Sequence, residues 1–404
     1  MRTSGSEACV PSGVILFGSY FAIFLSPFVS YFNILPGFQA WMIFPFFVLP
    51  FFVRGLRSIR LHELFLLLIV FYAFISWAFF SIYHGEYNFS SLALFSVSAI
   101  SFLICLKVFS RSDWQHLDRF YIALALMIFI YGIFQYISYR LNIGVIPENL
   151  YRGRSTGAAK QITSIFDEPA FLGLFCISFL YYCLFVRYRL SLFLIACCLA
   201  VVVLSKSLSA MVSSAVLVGC FVFLGTDISI NKKLRAVFIL VPASVFAIIY
   251  LDIFEIVRRR FVNEVFNSLV FLSPEYLGYI DNSGQARILG ELNYFIHVFK
   301  NSSLFGYGIE YNVLLSTYDV ERQMALNGFV EIFIRWGVFG LGIFFIFIFF
   351  EKLIYKPKSN FVFFIFVALY LTSDGAVSKI EYWLPIALVL AFERIRSNFA
   401  LVNK

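Results

Sequence analysis

The chain has 404 residues and a formal net charge of +8, and 61% of its residues are hydrophobic, 20% aromatic and 13% charged. These values, with a mean hydropathy of +0.88, lie far outside the averages for soluble globular domains and exclude that class. Apolar runs of about 17 to 23 residues recur and match the thickness of a bilayer, whereas strands of a membrane barrel would alternate over about 10 residues. We therefore expect an all-α, polytopic transmembrane helix bundle, a single integral membrane domain over residues 1–404.

About twelve apolar runs are predicted to span the membrane. In chain order they are Gly13–Leu35, Phe38–Val53, Leu64–Tyr83, Leu92–Phe109, Phe120–Leu141, Ala170–Val186, Ser191–Leu204, Ala210–Gly225, Ala236–Phe254, Gly328–Phe350, Phe361–Thr372 and Trp383–Phe392. No small-residue cleavage signature follows the first run, so we expect that run to be a retained span.

Lysine and arginine residues determine the expected orientation. If the N-terminus is cytoplasmic, every short basic connector falls on the cytoplasmic side, as the positive-inside rule requires. Their basic residues are Arg54, Arg57, Arg60, Arg111, Arg119, Arg187, Arg189, Lys232, Lys233, Arg235, Lys352, Lys356, Lys358, Arg394 and Arg396. The sequence thus predicts a multi-pass protein with both termini in the cytoplasm.

Two connectors that fall on the outer face, residues 142–169 and 255–327, are also basic. The first contains the stretch "YRGRSTGAAKQITSIFDEPAFLG", in which three basic residues precede an acidic pair. Long loops are translocated regardless of their charge, so one interpretation is two long loops with ordinary solvated charges. The other interpretation is an anion-binding site that faces the outer leaflet.

The second connector is predicted to contain amphipathic helices. In "ARILGELNYFIHVFK" the apolar residues recur at helical spacing, and Arg287, Glu291 and His297 lie on other faces. The stretch "EIVRRRFVNEVFNSL" has the same design, and we expect its three arginines among anionic headgroups. Helices of this kind lie against the membrane or the bundle and leave a polar side free.

Motifs that would supply a metal or a nucleotide are missing from the sequence. It has no Gly-rich phosphate loop, no zinc-binding His-Glu-x-x-His and no Asp-x-Asp pair. We therefore expect no cofactor and no metal, and we expect the energy of any reaction to come with the substrate or from a gradient.

Several stretches together carry a resemblance to a known family. They are the arginine-rich stretch that ends in Asp167-Glu168-Pro169, a second arginine at Arg287, the "FGYG" of Phe305–Gly308, the "NGFVEIFIRWGVFG" of Asn327–Gly340 and, more weakly, the "LSKSLSAMV" around Ser207. In order and in their shared outer-face placement, they resemble the membrane polysaccharide polymerases of the Wzy type and the related O-antigen ligases.

The stretch Asn327–Gly340 resembles the ligase pattern of His-Asn, nine residues, Gly, two residues, Gly. Asn327, Gly337 and Gly340 are in register, and Leu326 occupies the position of the histidine. In "LSKSLSAMV", where relatives often carry a Ser-Arg pair, Ser207 fits and Leu208 does not. The missing histidine favours the polymerase branch, and the ligase stays the alternative.

The resemblance implies a GT-C-like architecture and a metal-independent glycosyltransferase at the periplasmic face of a bacterial inner membrane. Polymerases of this family transfer a growing glycan from undecaprenyl pyrophosphate to a sugar hydroxyl of a new lipid-linked repeat unit, whereas the ligases transfer the finished glycan to lipid A core. The partners that it implies are an undecaprenyl-pyrophosphate-linked oligosaccharide, membrane lipids and a chain-length regulator protein, with no nucleic acid.

The implied reaction needs its pyrophosphate leaving group neutralised, and arginine suits this because its planar fork pairs bidentately with phosphate. We expect Arg154 and Arg287 to be catalytic, and Glu168 to accept the proton of the attacking hydroxyl. The residues expected to bind substrate are Arg152, Lys160, Glu291, His297, Tyr307 and Asn327.

Structural roles compete with several of these assignments. Arg287 could form an intrahelical pair with Glu291, and Glu168 could stabilise the start of a helix ahead of Pro169. The charged pair Glu331 and Arg335, four apart within an apolar span, could line the glycan cavity, although we favour a lock between neighbouring helices.

A transporter or flippase of a lipid-linked anionic solute is the alternative from another class, since the same arginines would bind a headgroup. Such proteins have broken Gly/Pro helices in matching halves, and the sequence shows no sign of them. A structural membrane scaffold is the third reading.

Overall fold

The computed structural model describes residues 33–35, 38–39, 61–84, 89–141, 162, 164, 169–187, 191–205, 207–224, 291–308, 327–355, 360–373 and 380–402. In chain order the elements within these ranges are β1 (Asn33–Leu35), β2 (Phe38–Gln39), α1 (Leu61–His84), α2 (Phe89–Ser110), α3 (Trp114–Leu141), α4 (Pro169–Tyr181), α5 (Leu192–Ser205), α6 (Leu208–Leu224), α7 (Glu291–Asn301), α8 (Gly328–Tyr355), α9 (Asn360–Ser373) and α10 (Ile380–Val402). A π-helical turn, Tyr182–Val186, extends α4.

The helical class predicted from the sequence is confirmed for the described residues, with one exception. Nine predicted spans lie on α1 to α6 and α8 to α10. The exception is the antiparallel hairpin of β1 and β2, which replaces helix at the end of the predicted span Gly13–Leu35 and at the start of Phe38–Val53. The dipeptide between the strands, Pro36-Gly37, is typical of a turn. The predicted span Ala236–Phe254 lies outside the described residues, as does the rest of the first two spans.

Two helical stretches among the described residues are long and apolar enough to cross a membrane, Trp114–Ser138 and Gly328–Glu351. The apolar stretches of six other described helices are shorter, at 10–17 residues. Large apolar side chains also face outward: Phe79, Ile82 and Phe223 are each more than 70% exposed. An outer surface of this kind is rare in soluble monomers and suits contact with lipid chains.

The bundle is built around two close helix pairs and a central helix. α10 packs along α2, and α8 packs along α1, while α4 lies among α5, α6, α9 and α10. Aromatic rings fill these contacts, as where Tyr181 of α4 stacks on Phe366 of α9 with ring centroids 4.4 Å apart. Stacked and edge-to-face rings hold such helices at fixed distances.

Four buried charges tie four helices together at one end of the bundle. Arg394 of α10 donates hydrogen bonds to Glu63 at the start of α1 (2.9 Å) and to Glu351 near the end of α8 (3.1 Å). Lys107, in the last turn of α2, lies 2.5 Å from the second oxygen of Glu63. We call these four residues the charge cluster. Its charges cancel, as buried charges must if they are to be retained.

Polar contacts extend from the charge cluster to α3 and α4. Arg187, directly after α4, donates to Asp118 in the first turns of α3 (3.0 Å), and Tyr182 donates to the same carboxylate. Tyr181 donates to Glu393 of α10 (3.1 Å). Six helices are therefore fixed at this end, which we call the pinned end. The opposite end, where α1 and α3 end and α4 and α8 begin, is the distal end.

Candidate functional site

Helix α8 is broken at Gly337, and a segment from the second connector is hydrogen-bonded into the break. Gly337 has φ 60° and ψ −158°, a backbone conformation that is essentially restricted to glycine. The inserted segment, Ser303–Gly308, includes the "FGYG" stretch. Four backbone bonds join it to α8: Tyr307 N to Ile334 O (2.7 Å), Gly308 N to Arg335 O (2.7 Å), Val338 N to Ser303 O (2.9 Å) and Phe339 N to Leu304 O (3.1 Å).

The glycines of "FGYG" are needed because of this close approach. Gly306 has φ 68°, and a Cβ there would lie 2.6 Å from the backbone of Arg335 and Trp336. Gly308 has φ 77°, and its Cβ would lie 2.9 Å from the hydroxyl of Ser76 on α1. The structure thus joins two stretches that carry the family resemblance, "FGYG" and "NGFVEIFIRWGVFG", into one site.

Two of the predicted substrate-binding residues, His297 and Tyr307, meet beside this break. Their rings stack with centroids 5.6 Å apart and planes 26° apart. His297 is on α7, and Tyr307 is held by its own backbone bond to α8. Tyr72 of α1 supports the segment from the other side, because its hydroxyl donates to Phe305 O at 2.6 Å.

The other described residues of the predicted site lie on α7 and α8. Asn327 caps α8: its Oδ1 accepts the backbone N–H groups of Phe329 (2.9 Å) and Val330 (3.5 Å), which is an ordinary N-cap role. Glu291 is the first residue of α7. Glu331 and Arg335 form the expected pair, with Arg335 Nε 2.9 Å from Glu331 Oε1. Both are buried, and they lie six and two residues before Gly337, respectively.

The remaining predicted residues lie outside the described residues. They are the catalytic candidates Arg154, Glu168 and Arg287 and the substrate-binding candidates Arg152 and Lys160. Their roles stay predictions.

The described residue Ser164, from the first connector, also has a non-helical backbone within the bundle. Ser164 is fully buried against α3 with φ 53°. Its N–H donates to Gln135 Oε1 (2.9 Å) and its hydroxyl donates to Ile128 O (2.6 Å). Gln135 precedes the end of α3 by six residues, or about 9 Å along the helix, and Ile128 lies about 20 Å from that end.

Ser164 is therefore buried within the bundle, whereas the segment Ser303–Gly308 lies at its side, with Leu304 and Phe305 each more than half exposed. Both lie below the distal end: Tyr72 and Ser76, which contact the segment Ser303–Gly308, are about 18 Å and about 12 Å from the end of α1. At membrane depth, such backbone is tolerated only where protein covers it or where it lines a water-filled cavity. In both places, protein groups bond to this backbone.

The stretch "LSKSLSAMV" covers the end of α5 and the start of α6, and its described residues Ser207 and Ala210 lie beside the start of α4. A Cβ on Gly173 would lie 3.5 Å from the hydroxyl of Ser207 and 2.7 Å from the Cβ of Ala210. Gly173 is the last residue of the stretch that contains the predicted Glu168. The two stretches, which are more than thirty residues apart in sequence, are therefore neighbours in the fold.

Sequence reasoning missed the residues that hold these segments in place. Tyr72 and Gln135 belong to no motif, and each contacts a backbone group that is distant in sequence. Ser164 lies within the quoted basic stretch but was not assigned a role there. The alternating glycines of "FGYG" were the signal for close backbone approach. In the described residues, no group of three or more His, Cys, Asp and Glu side chains is arranged to hold a metal ion.

Comparison of the chain with known protein families and with curated proteins finds no match.

Proposed function

We propose that this protein is a polysaccharide polymerase of the Wzy type in a bacterial inner membrane. It transfers a growing glycan from undecaprenyl pyrophosphate to a sugar hydroxyl of a new lipid-linked repeat unit. The pinned end faces the cytoplasm with both termini, and the distal end faces the periplasm. This proposal rests on the sequence resemblance, and the geometry of the distal half supports it.

The observation that carries the proposal is the insertion of "FGYG" into the break of α8. Two stretches chosen only for their resemblance to the family are joined by two backbone hydrogen bonds, Tyr307 N to Ile334 O and Gly308 N to Arg335 O. If the resemblance of these two stretches to the family were accidental, there would be no reason to expect them to contact each other in the fold. The buried Glu331 and Arg335 lie next to this junction, and buried charges at membrane depth are a usual mark of function.

The proposed reaction displaces pyrophosphate at the anomeric carbon. A sugar hydroxyl attacks that carbon, the bond between carbon and pyrophosphate oxygen breaks, and the hydroxyl proton passes to Glu168. Arg154 and Arg287 neutralise the charge that develops on the leaving pyrophosphate. His297 and Tyr307 contact the sugar, and Arg152 and Lys160 hold the diphosphate.

The test is the surface polysaccharide profile of a deletion strain that carries wild type, Arg154→Ala or Arg287→Ala at matched membrane levels. We expect either substitution to remove the gel ladder and to leave the band of core plus one repeat. Arg119→Ala is the matched control, because Arg119 is exposed at the pinned end. Loss of every repeat-bearing band would instead indicate ligation or flipping, and an unchanged ladder would exclude both arginines from catalysis.

A flippase is the second candidate, and the break in α8 is the observation that favours it. Discontinuous helices form the substrate sites of many transporters. The matching broken helix of a symmetric half is not found in the described residues. Repeat units that accumulate on the cytoplasmic side of the deletion strain would support the flippase, whereas single repeats on the outer side would support the polymerase.

A further inference from the structure

The break in α8 uses the same four backbone groups that an unbroken helix would pair with each other. In a continuous α-helix, the N–H of residue i bonds to the carbonyl of residue i−4. Val338 would then bond to Ile334, and Phe339 would bond to Arg335. In the structure, each of these four groups is bonded to the segment Ser303–Gly308 instead. The segment therefore replaces two helical bonds with four bonds to itself.

We propose that Ser303–Gly308 is a backbone clasp that holds α8 open, and that α8 closes into a continuous helix when the clasp leaves. The exchange is balanced for α8, because its two donors and two acceptors are satisfied in both states. Gly337 suits such an exchange, since glycine adopts both positive φ and helical φ without a Cβ clash. The helix is thus an element with two discrete hydrogen-bonding arrangements.

Three neighbouring residues, Ser302, Tyr72 and Ser76, hold the clasp in position. Its first residues follow α7 directly, and the hydroxyl of Ser302, the residue after α7, donates to Gly306 O within the clasp (2.7 Å). On α1, Tyr72 donates to Phe305 O (2.6 Å) and Ser76 lies against Gly308. A shift of α1 or α7 relative to α8 would therefore act on the clasp.

The position of the clasp determines whether the candidate site is complete. With the clasp inserted, Tyr307 is pinned to Ile334 and stacks on His297. With the clasp out, Tyr307 loses this anchor, and the half of α8 that carries Glu331 and Arg335 takes a new direction. The consequence for glycan transfer rests on the proposed function, whereas the exchange of hydrogen bonds does not.

Hydrogen exchange on the full chain in lipid nanodiscs tests the clasp through the variant Gly306→Ala. The added Cβ would lie 2.6 Å from the α8 backbone, so the clasp cannot insert. We expect loss of protection in the peptide that covers Ser302–Gly308, while the amides of Val338 and Phe339 stay protected within a closed helix. Loss of protection in both peptides would mean local unfolding, and unchanged protection in both would mean that the segment does not depend on close approach. Either result overturns the proposal.

Gly342→Ala is the matched control on the same helix, because nothing lies within 4 Å of a Cβ at that position. It should leave both peptides protected. Tyr72→Phe is the milder variant in case Gly306→Ala does not fold: it removes the hydroxyl that holds Phe305 O and keeps the ring. We expect it to give a smaller loss of protection in the clasp peptide alone, and no change there would overturn the proposal.

The same variants separate failure of the clasp from failure of the proposed function. The probe is the lipid-linked single repeat extracted from the deletion strain, offered to purified protein. Suppose that wild type does not polymerise this substrate, while Gly306→Ala loses hydrogen-exchange protection in the clasp peptide only. The clasp proposal is then supported and the polymerase proposal is contradicted. If wild type polymerises it and Gly306→Ala does so equally well with its clasp peptide unprotected, the clasp has no part in catalysis.

Discussion

At the scale of single residues, Arg394 is the buried charge on which the charge cluster depends. Its side chain is 3% exposed, and it reaches the carboxylates of Glu63 and Glu351 on two other helices. The positive-inside rule treats this arginine as a solvated charge near a span end. The structure buries it instead, so its removal leaves buried carboxylates with less compensation.

We expect Arg394→Met to destabilise the protein by about 3–5 kcal/mol, because breaking a buried ion pair leaves an uncompensated charge. Thermal unfolding of the detergent-solubilised protein measures the effect. Arg119→Met, at an exposed arginine of α3, is the control and should change stability by less than about 0.5 kcal/mol. Adding Glu351→Gln to Arg394→Met should recover part of the loss. Purely additive losses in the double variant would show that the two side chains are not coupled.

At the scale of helices, the crossing of α4 and α6 depends on the absence of a side chain at Gly173. A Cβ at this position would lie 2.7 Å from the Cβ of Ala210, and that atom is fixed to the backbone of α6. Small residues at such crossings let membrane helices approach closely when no hydrophobic effect drives them together. The crossing also sets the distance between Ser207 and the start of α4.

We expect Gly173→Ala to force α4 and α6 apart and to cost about 1–3 kcal/mol, as overpacking does in well-packed cores. The temperature at which the solubilised protein loses its monodisperse peak measures this effect. Gly219→Ala is the control on α6 itself, because its Cβ would meet no atom within 4 Å. It should be neutral or slightly stabilising. Equal stability of the two variants would mean that the crossing tolerates a wider spacing.

The elements also show how far sequence reasoning reaches in such a chain. Hydropathy predicted the helices α1 to α6 and α8 to α10, because a long apolar run has few alternatives to a helix in a bilayer. The break at Gly337 was not predictable from that pattern, since Val338 and Phe339 continue the apolar run without interruption. It depends on a partner segment that is distant in sequence, and hydropathy contains no information on pairing.

The candidate site was predictable only in part for the same reason. The "FGYG" stretch led to Tyr307 and the amphipathic pattern of the second connector led to His297, and the fold brings these two together. The same pattern assigned Asn327 to substrate, whereas its Oδ1 is used to cap α8. Tyr72 could not have been chosen from the sequence, because many tyrosines occupy similar positions near the middle or end of a span.

At the scale of the whole molecule, the two ends of the bundle have opposite physical character. The charge cluster and the contacts of Asp118 fix the pinned end. The distal half instead holds non-helical backbone at Ser164 and at the clasp. If the proposed clasp exchange occurs, the distal half rearranges above a fixed base, as the proposed transfer between lipid-linked substrates requires.

This arrangement predicts which end faces the cytoplasm, and reporter fusions measure it. We expect green fluorescent protein to fluoresce when fused after Arg111 or Arg187, at the pinned end, because it folds into its fluorescent form in the cytoplasm. Alkaline phosphatase should be active when fused after Leu141, at the distal end, because it needs the oxidising periplasm. The physical reason is the density of arginine around the ends of α2, α4 and α10, which favours retention in the cytoplasm. The reverse pattern would put the clasp and the predicted arginines on the cytoplasmic side, where a polymerase that uses a translocated lipid-linked repeat would not meet its substrate.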